Sequence, residues 1–240
     1  MILLAPQLRR RYMDIFISQT DSVYLHHLSQ FQTVLKQRNS LLSAIQENRS
    51  RSEELAFWDE QMGNHGGYVL WKRRQVVEYM NHKLSSHYES IGREAVHFQL
   101  LWKSSWNVEA TPEATQQHFF DYLQNKRQRD IAAETTCGGP HRDDFSFQMN
   151  GRDLAEFGSR GECRTAVLAL KLTEMEYIKE LTGDPPVLLF DDVFSELDIN
   201  RQQQFLEQCD AEQVIISTTH VEYPLPDATI WKVQNGTITS

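Results

Sequence analysis

The sequence is short of positive charge, of cysteine and of long apolar runs, and each shortage excludes something. Its 240 residues hold 24 Lys and Arg against 33 Asp and Glu, a formal net charge of −9. A simple electrostatic sponge for nucleic acid is therefore excluded, although one local basic patch is not. Three cysteines, Cys137, Cys163 and Cys209, are scattered without CxxC spacing. That removes a disulfide framework and a zinc site and points to a reducing cytoplasm. No stretch approaches the roughly 18 apolar residues of a membrane span. The opening MILLAPQLRRR puts its apolar residues before its basic cluster, the reverse of a secretory signal. Finally, none of the 11 glycines is followed by lysine, so the phosphate loop GxxxxGK[ST] is missing from these residues.

What is present falls into two unlike halves. Residues 1–134 carry 16 Lys/Arg against 15 Asp/Glu, whereas residues 135–240 carry 8 against 18. The near-neutral half holds basic knots at Arg9-Arg10-Arg11, Lys72-Arg73-Arg74 and Lys126-Arg127-Gln128-Arg129. Lys72, Arg73, Arg74, Lys126, Arg127 and Arg129 are the candidate DNA contacts, with a solvated helix face as the plainer alternative.

From Asp21 to about Asn48 the period is helical. Tyr24, Leu28, Phe31, Leu35, Arg38, Leu42 and Ile45 form a heptad seam with one charged member. Ser52 is expected to open a short second helix, Gly63 with Gly66-Gly67 to make a turn, and residues 68–91 to resume the helix. Two long helices joined by a Gly-rich bend predict an antiparallel helical hairpin. His87 on that seam is read as a core or boundary residue rather than a ligand. Ala95–Trp106 predicts a strand, and Thr111-Pro112 an N-cap and first turn for a helix to about Arg129. Asp144–Asn150 alternates as a strand, with a possible return strand at 152–157. Beyond it come a helix (161–181), strand 187–190, a helix (199–209), strand 213–217 and a last strand near 229–233. Such alternation predicts an α/β architecture.

The chemistry gathers in this second half. Val187-Leu188-Leu189-Phe190 is apolar throughout, as a central parallel strand covered on both faces would be. It runs straight into Asp191 and Asp192, and ligands of open α/β sheets sit beyond the carboxyl ends of the strands. Asp191 can hold Mg²⁺ while the metal keeps other positions for phosphate oxygens. Asp192 can then orient or deprotonate an attacking water. Ser159-Arg160-Gly161-Glu162 is a capping box, and also a hydroxyl and unhindered N–H groups at a helix start, which is an anion site. Arg160 or Arg164 can add charge there. Val214–His220 is a second apolar strand ending in hydroxyls and a histidine.

At these residues a resemblance appears. SRGECR resembles the signature motif of ABC-type ATPases, VLLFDD their Walker B, SELD their D-loop and STTH their switch region. Together with TTCGGPHRDD at 135–144, LKQRN at 35–39 and RRRYMD at 9–14, the chain is similar to the RecF family over essentially its whole length. The resemblance implies part of an ABC/SMC-like ATPase head, its C-terminal part, with an inserted helical hairpin lobe. Residues 1–13 would be a head remnant, 14–91 the lobe, 92–134 the strand and helix joining lobe to head, and 135–240 the head. It implies ATP and Mg²⁺ as cofactors, with catalytic Asp191 and Asp192 and nucleotide contacts from Ser159, Arg160, Gly161, Arg164, Ser195, Asp198 and His220. It also implies a cytoplasmic, ATP-dependent homodimer that binds single-stranded and gapped DNA. Such a protein would work with other recombination mediators in gap repair, DNA replication and the SOS response, away from membranes.

Two departures qualify that expectation. Family members carry a phosphate loop near their N-terminus, so Met1 reads as an internal start or the start of a shortened gene, and the chain alone as an incomplete ATPase. Asp192 stands where ABC enzymes generally place Glu, one methylene further from any water. An exposed apolar surface is then expected where the missing head segment would pack. The alternatives are a non-catalytic module binding repair partners or a complementing chain, and another SMC-related head of the overcoming-lysogenization nuclease type.

Overall fold

The structure, a computed structural model, describes residues 2–92, 95–104, 108–192, 199–219, 228–234 and 236–239. Its contacts divide into two compact units, Met1–Pro185 and Pro186–Ser240.

The first unit is built on helices α1 (Pro6–Thr20), α2 (Ser22–Gln46) and α3 (Leu55–Gly92). Asp21 ends α1 and caps α2, its carboxylate accepting from Tyr24 N–H at 2.8 Å. On α2 the buried residues are Tyr24, Leu28, Phe31, Val34, Arg38 and Leu42; Val34 takes the place expected of Leu35, which like Ile45 is only half-buried. A 3₁₀ turn at Ser52–Glu54 leads directly into α3, so the expected bend at Gly63–Gly67 is not there. These glycines lie inside one 38-residue helix, and their task is close packing. A Cβ on Gly63 would come within 2.7 Å of the Phe120 Cβ, and one on Gly67 within 2.4 Å of the Gln116 Cα. Both neighbours belong to α4 (Pro112–Ala132), which begins at the Thr111 N-cap. Two helices this close exclude any side chain between them, which outweighs the poor helix propensity of glycine.

Strand β1 (Phe98–Lys103) pairs antiparallel with β2 (Asp144–Met149), from Phe98 opposite Met149 to Lys103 opposite Asp144. Asn150 and Gly151, both at positive φ (49° and 80°), turn the chain back into β3 (Arg152–Asp153). The return strand is thus two residues long, because Asp153 caps the short helix α5 (Leu154–Phe157). Helix α6 (Arg160–Thr182) follows and ends in a left-handed Gly183 at φ 82°. It packs against α3 within the first unit.

The second unit holds β4 (Val187–Asp191), α7 (Ile199–Gln208), β5 (Gln213–Ser217) and the small pair β6 (Lys232–Gln234) and β7 (Thr237–Thr239). β4 and β5 are parallel and in register from Val187 opposite Gln213 to Asp191 opposite Ser217. Phe190 packs edge-on to the buried Phe205 of α7 at 5.0 Å between ring centroids. The other face is open: Leu189 is 73% exposed, and Val187 and Ile215 are nearly half exposed. The expected two-sided burial of 187–190 is therefore corrected to one side among the described residues. Apolar side chains on the open face need a cover that this two-stranded sheet does not supply.

Candidate functional site

At the carboxyl end of β4, register places Asp191 beside Ser217, whose hydroxyl donates to Asp191 Oδ1. Asp192 N–H then donates to the Ser217 carbonyl at 2.9 Å. That contact turns Asp192 into the left-handed region, φ 51°, which Asp tolerates better than most residues. Asp191 and Asp192 are both exposed. Ser217 was not singled out by sequence reasoning beyond the STTH segment; the signal available was the equal five-residue spacing of the two strands to their polar ends.

Oxygen donors at a strand tip suit a hard cation such as Mg²⁺, which takes one or two carboxylates and fills its other positions with water and phosphate. Among the described residues no group of three or more His, Cys, Asp or Glu gathers as a ready-made metal cage. A site completed by phosphate oxygens requires none.

In the first unit, taken by itself, the start of α6 is the other candidate element. Ser159 is its N-cap, with Ser159 Oγ accepting from Glu162 N–H at 3.2 Å and Glu162 Oε2 accepting from Ser159 N–H at 2.6 Å. The same hydrogen bonds hold the Glu162 carboxyl below its ordinary range. Arg160 and Gly161 open the helix, so their N–H groups have no intrahelical acceptor and face outward at its positive end. Ser159 and Arg160 are exposed, and Gly161 and Arg164 half-buried. Ser195, Asp198 and His220 lie outside the described residues.

The basic knots sort differently from expectation. Arg73 is buried, donating to Asp14 at 2.7 Å and to the Pro140 carbonyl at 2.7 Å. It is a core cation of the first unit and leaves the candidate DNA surface. Lys72 pairs with Asp21 at 2.7 Å, Arg74 with Glu78 at 2.7 Å and Arg127 with Asp59 at 2.5 Å. Lys126 and Arg129 are exposed on α4. His87 bonds Glu176 at 2.9 Å, a boundary contact between α3 and α6.

Comparison with known proteins now identifies the family. The chain is 36% identical over 237 residues to the DNA replication and repair protein RecF of Lachnoclostridium phytofermentans, covering 97% of this chain and 64% of that protein. It is 40% identical over 239 residues to RecF of Streptococcus agalactiae serotype Ia, covering 98% and 63%. The chain belongs to the RecF family. It spans a little under two thirds of the length of these relatives. No family model matches the sequence. A solved structure of the recombination mediator RecF with ATPrS superposes with a TM-score of 0.83 at 31% identity, covering 99% of this chain and 64% of that one. A second, RecF with ATP in the RecFOR pathway, gives 0.82 at 31%, covering 98% and 63%. The fold is accordingly the RecF α/β head architecture with its helical lobe.

Proposed function

We propose that these residues supply the signature helix and the metal-binding strand of an ATP-driven, DNA-binding protein of recombinational gap repair and replication. The observation that carries this reading is the Asp191–Ser217 contact, with Asp192 in the left-handed backbone region beside it at the end of a parallel strand pair. Asp191 holds Mg²⁺ through its carboxylate, with Ser217 fixing the orientation of that carboxylate. The ion, when bound, neutralises phosphate oxygens. Asp192 accepts a proton from the attacking water or orients it, with Ser195, Asp198 and His220 as further nucleotide contacts.

Ser159, Gly161 and the outward N–H groups of α6 bind phosphate oxygens of a nucleotide held by a second subunit, assisted by Arg160 and Arg164. ATP binding then favours a homodimer, and DNA binding follows from it. The RecF relatives are named for replication and repair, and one solved relative for a complex with ATP in the RecFOR pathway. Those names support DNA replication and repair as the setting and ATP as the nucleotide; gapped and single-stranded DNA, other mediators, the SOS response and a cytoplasmic location are the further parts of this proposal. No described helix is long and apolar enough to cross a membrane.

Because the 240 residues hold no GxxxxGK[ST], the chain alone is expected to show no ATP turnover. Joined to a phosphate-loop segment from a RecF relative it should hydrolyse ATP slowly. In that joined protein Asp191→Ala should abolish turnover, while Asp192→Asn should abolish turnover and leave ATP binding intact. Asn shares the tolerance of Asp for the left-handed backbone, so the second variant separates chemistry from conformation. Turnover by the 240-residue chain that Asp191→Ala leaves untouched would show the metal strand to be misassigned.

A further inference from the structure

Three segments flagged in the sequence, RRRYMD, LKQRN and TTCGGPHRDD, play no part in the nucleotide site, yet they meet in the first unit. They border a groove of about 900 Å³ between α1, α2 and the 139–142 turn. The turn is fixed from both sides. Arg38 donates to Thr136 Oγ1 at 2.7 Å, Asn39 Oδ1 accepts from Thr136 N–H at 2.8 Å, and Arg73 donates to the Pro140 carbonyl. A groove wall held this way is ordered before any ligand arrives, which lowers the entropy cost of binding.

The walls are apolar. Leu8 and Ile15, two turns apart on one face of α1, are 45% and 51% exposed, and Leu25 on α2 is 50% exposed. The rim is basic. Arg11 lies between Leu8 and Ile15 on the same face and is exposed, and Arg10 donates to the Asp143 carbonyl. Burial first, and the neighbouring Arg73 second, hold Arg10 below its ordinary value, against the opposing pull of Asp144, Asp143 and Asp14. The one carboxylate lining the groove, Asp14, is already used by Arg73 and by the Tyr24 hydroxyl at 2.5 Å. His141 adds no charge, because burial pushes it down to about 4 and its Nε2–H donates to the Thr136 carbonyl. The groove is thus positive within a chain of net charge −9.

We infer that this groove docks an acidic amphipathic helix of a partner protein. A nucleic-acid backbone would match the arginines and waste three exposed aliphatic side chains. A helix with apolar residues at i, i+3, i+4 and i+7 and carboxylates on its flanks matches both. The groove follows α1 from Gln7 to Gln19, about 18 Å at 1.5 Å per residue, so it takes about three turns of helix. This inference stands on the first unit alone and does not rest on the nucleotide site.

The test is fluorescence anisotropy on the 240-residue chain. The probe is a labelled 14-residue peptide with Leu at i, i+3, i+4 and i+7 and Glu on its flanks. Controls are the same peptide with Lys for Glu and a labelled 14-nucleotide single strand. The acidic peptide is expected to bind at least tenfold tighter than either control. Arg11→Glu, Ile15→Asp and, on the opposite wall, Leu25→Asp should each weaken it at least tenfold, whereas Phe57→Ser on α3 should not. All three groove positions are exposed, so thermal melts should superpose on the parent; any variant that melts early is set aside and the others decide. Equal binding of the acidic and basic peptides, retention of affinity in the folded groove variants, or displacement of the peptide by the single strand would overturn the inference. So would self-association of the free chain that Arg11→Glu abolishes, because the occupant would then be a second copy.

Discussion

Arg38 and Asp130 meet at 2.8 Å with neither side chain reaching solvent. Arg38 also donates to Asp59 at 2.8 Å, and Asp130 accepts from Cys137 N–H at 3.1 Å. One guanidinium from the heptad seam of α2 therefore ties α3, α4 and the TTCGGPHRDD turn together. Removing Asp130 leaves Arg38 and Arg127 to share the one carboxylate of Asp59, so a buried positive charge goes uncompensated, which typically costs about 3–5 kcal/mol. Asp130→Ala is expected to lower stability by about that amount in urea unfolding of the chain. Reversing an exposed pair such as Arg74–Glu78 should cost less than about 1 kcal/mol. A loss below about 1 kcal/mol for Asp130→Ala would mean that the pair is solvated.

The glycines of α3 give a prediction whose sign decides between two accounts. If Gly67 were a mere weak point in the helix, Gly67→Ala would stabilise by about 1 kcal/mol through propensity. Its added Cβ would instead meet the Gln116 backbone at 2.4 Å, and backbone cannot swing aside as a side chain can. Overpacking of this kind costs about 1–3 kcal/mol. A lowered urea midpoint is therefore expected, and a raised midpoint would show that α3 and α4 separate at little cost.

These two sites show what sequence could and could not reveal. The heptad seam marked α2 and flagged Arg38 as its charged member, and Thr111-Pro112 and Ser159–Glu162 marked two helix starts, because those features are local. In sequence Gly63–Gly67 resembles a turn because close packing and chain reversal both call for glycine, and only the presence of α4 distinguishes them. Arg73 looked like a surface charge because its partners Asp14 and Asp143 lie about 60 and 70 residues away. Strand 187–191 is legible as a strand from its apolar run. Its exposure is not, since burial depends on which elements cover the sheet.

Stability should also register the charge at the start of α6. The Glu162 carboxyl is held below its ordinary 4.5 by its hydrogen bonds with Ser159, so the folded state favours its ionised form. That contribution is present in full above the unfolded value and disappears as pH falls through the lower folded value. Glu162→Gln keeps an acceptor for Ser159 N–H and removes only the charge. The melting temperature of Glu162→Gln should therefore sit below the parent at neutral pH, with the gap closing on acidification below about 4.5. A gap that stays constant across that range would show that the capping contact does not depend on ionisation.

DNA contact is the last expectation, and of the six candidate residues Lys126 and Arg129 are the pair that is exposed and outside the ion pairs described above. Lys72, Arg74 and Arg127 each hold a carboxylate, and Arg73 is inside the first unit. Moving any of them to a phosphate would first break an existing pair. Lys126 and Arg129 are exposed, three residues apart on one face of α4, and spaced to meet a backbone together. In the protein joined to a phosphate-loop segment and loaded with ATP, Lys126→Glu with Arg129→Glu should weaken binding to a gapped duplex. The expected loss is about 1 kcal/mol or more per contact, the strength of a charge-assisted hydrogen bond. Each lost phosphate contact should also flatten the dependence of log affinity on log salt by roughly 0.9. Lys72→Glu, by contrast, should lower the melting temperature through its broken pair with Asp21 and leave the salt slope alone. If anisotropy titrations at several salt concentrations give the double variant the parent slope, α4 presents a solvated face and the DNA surface is formed by other residues.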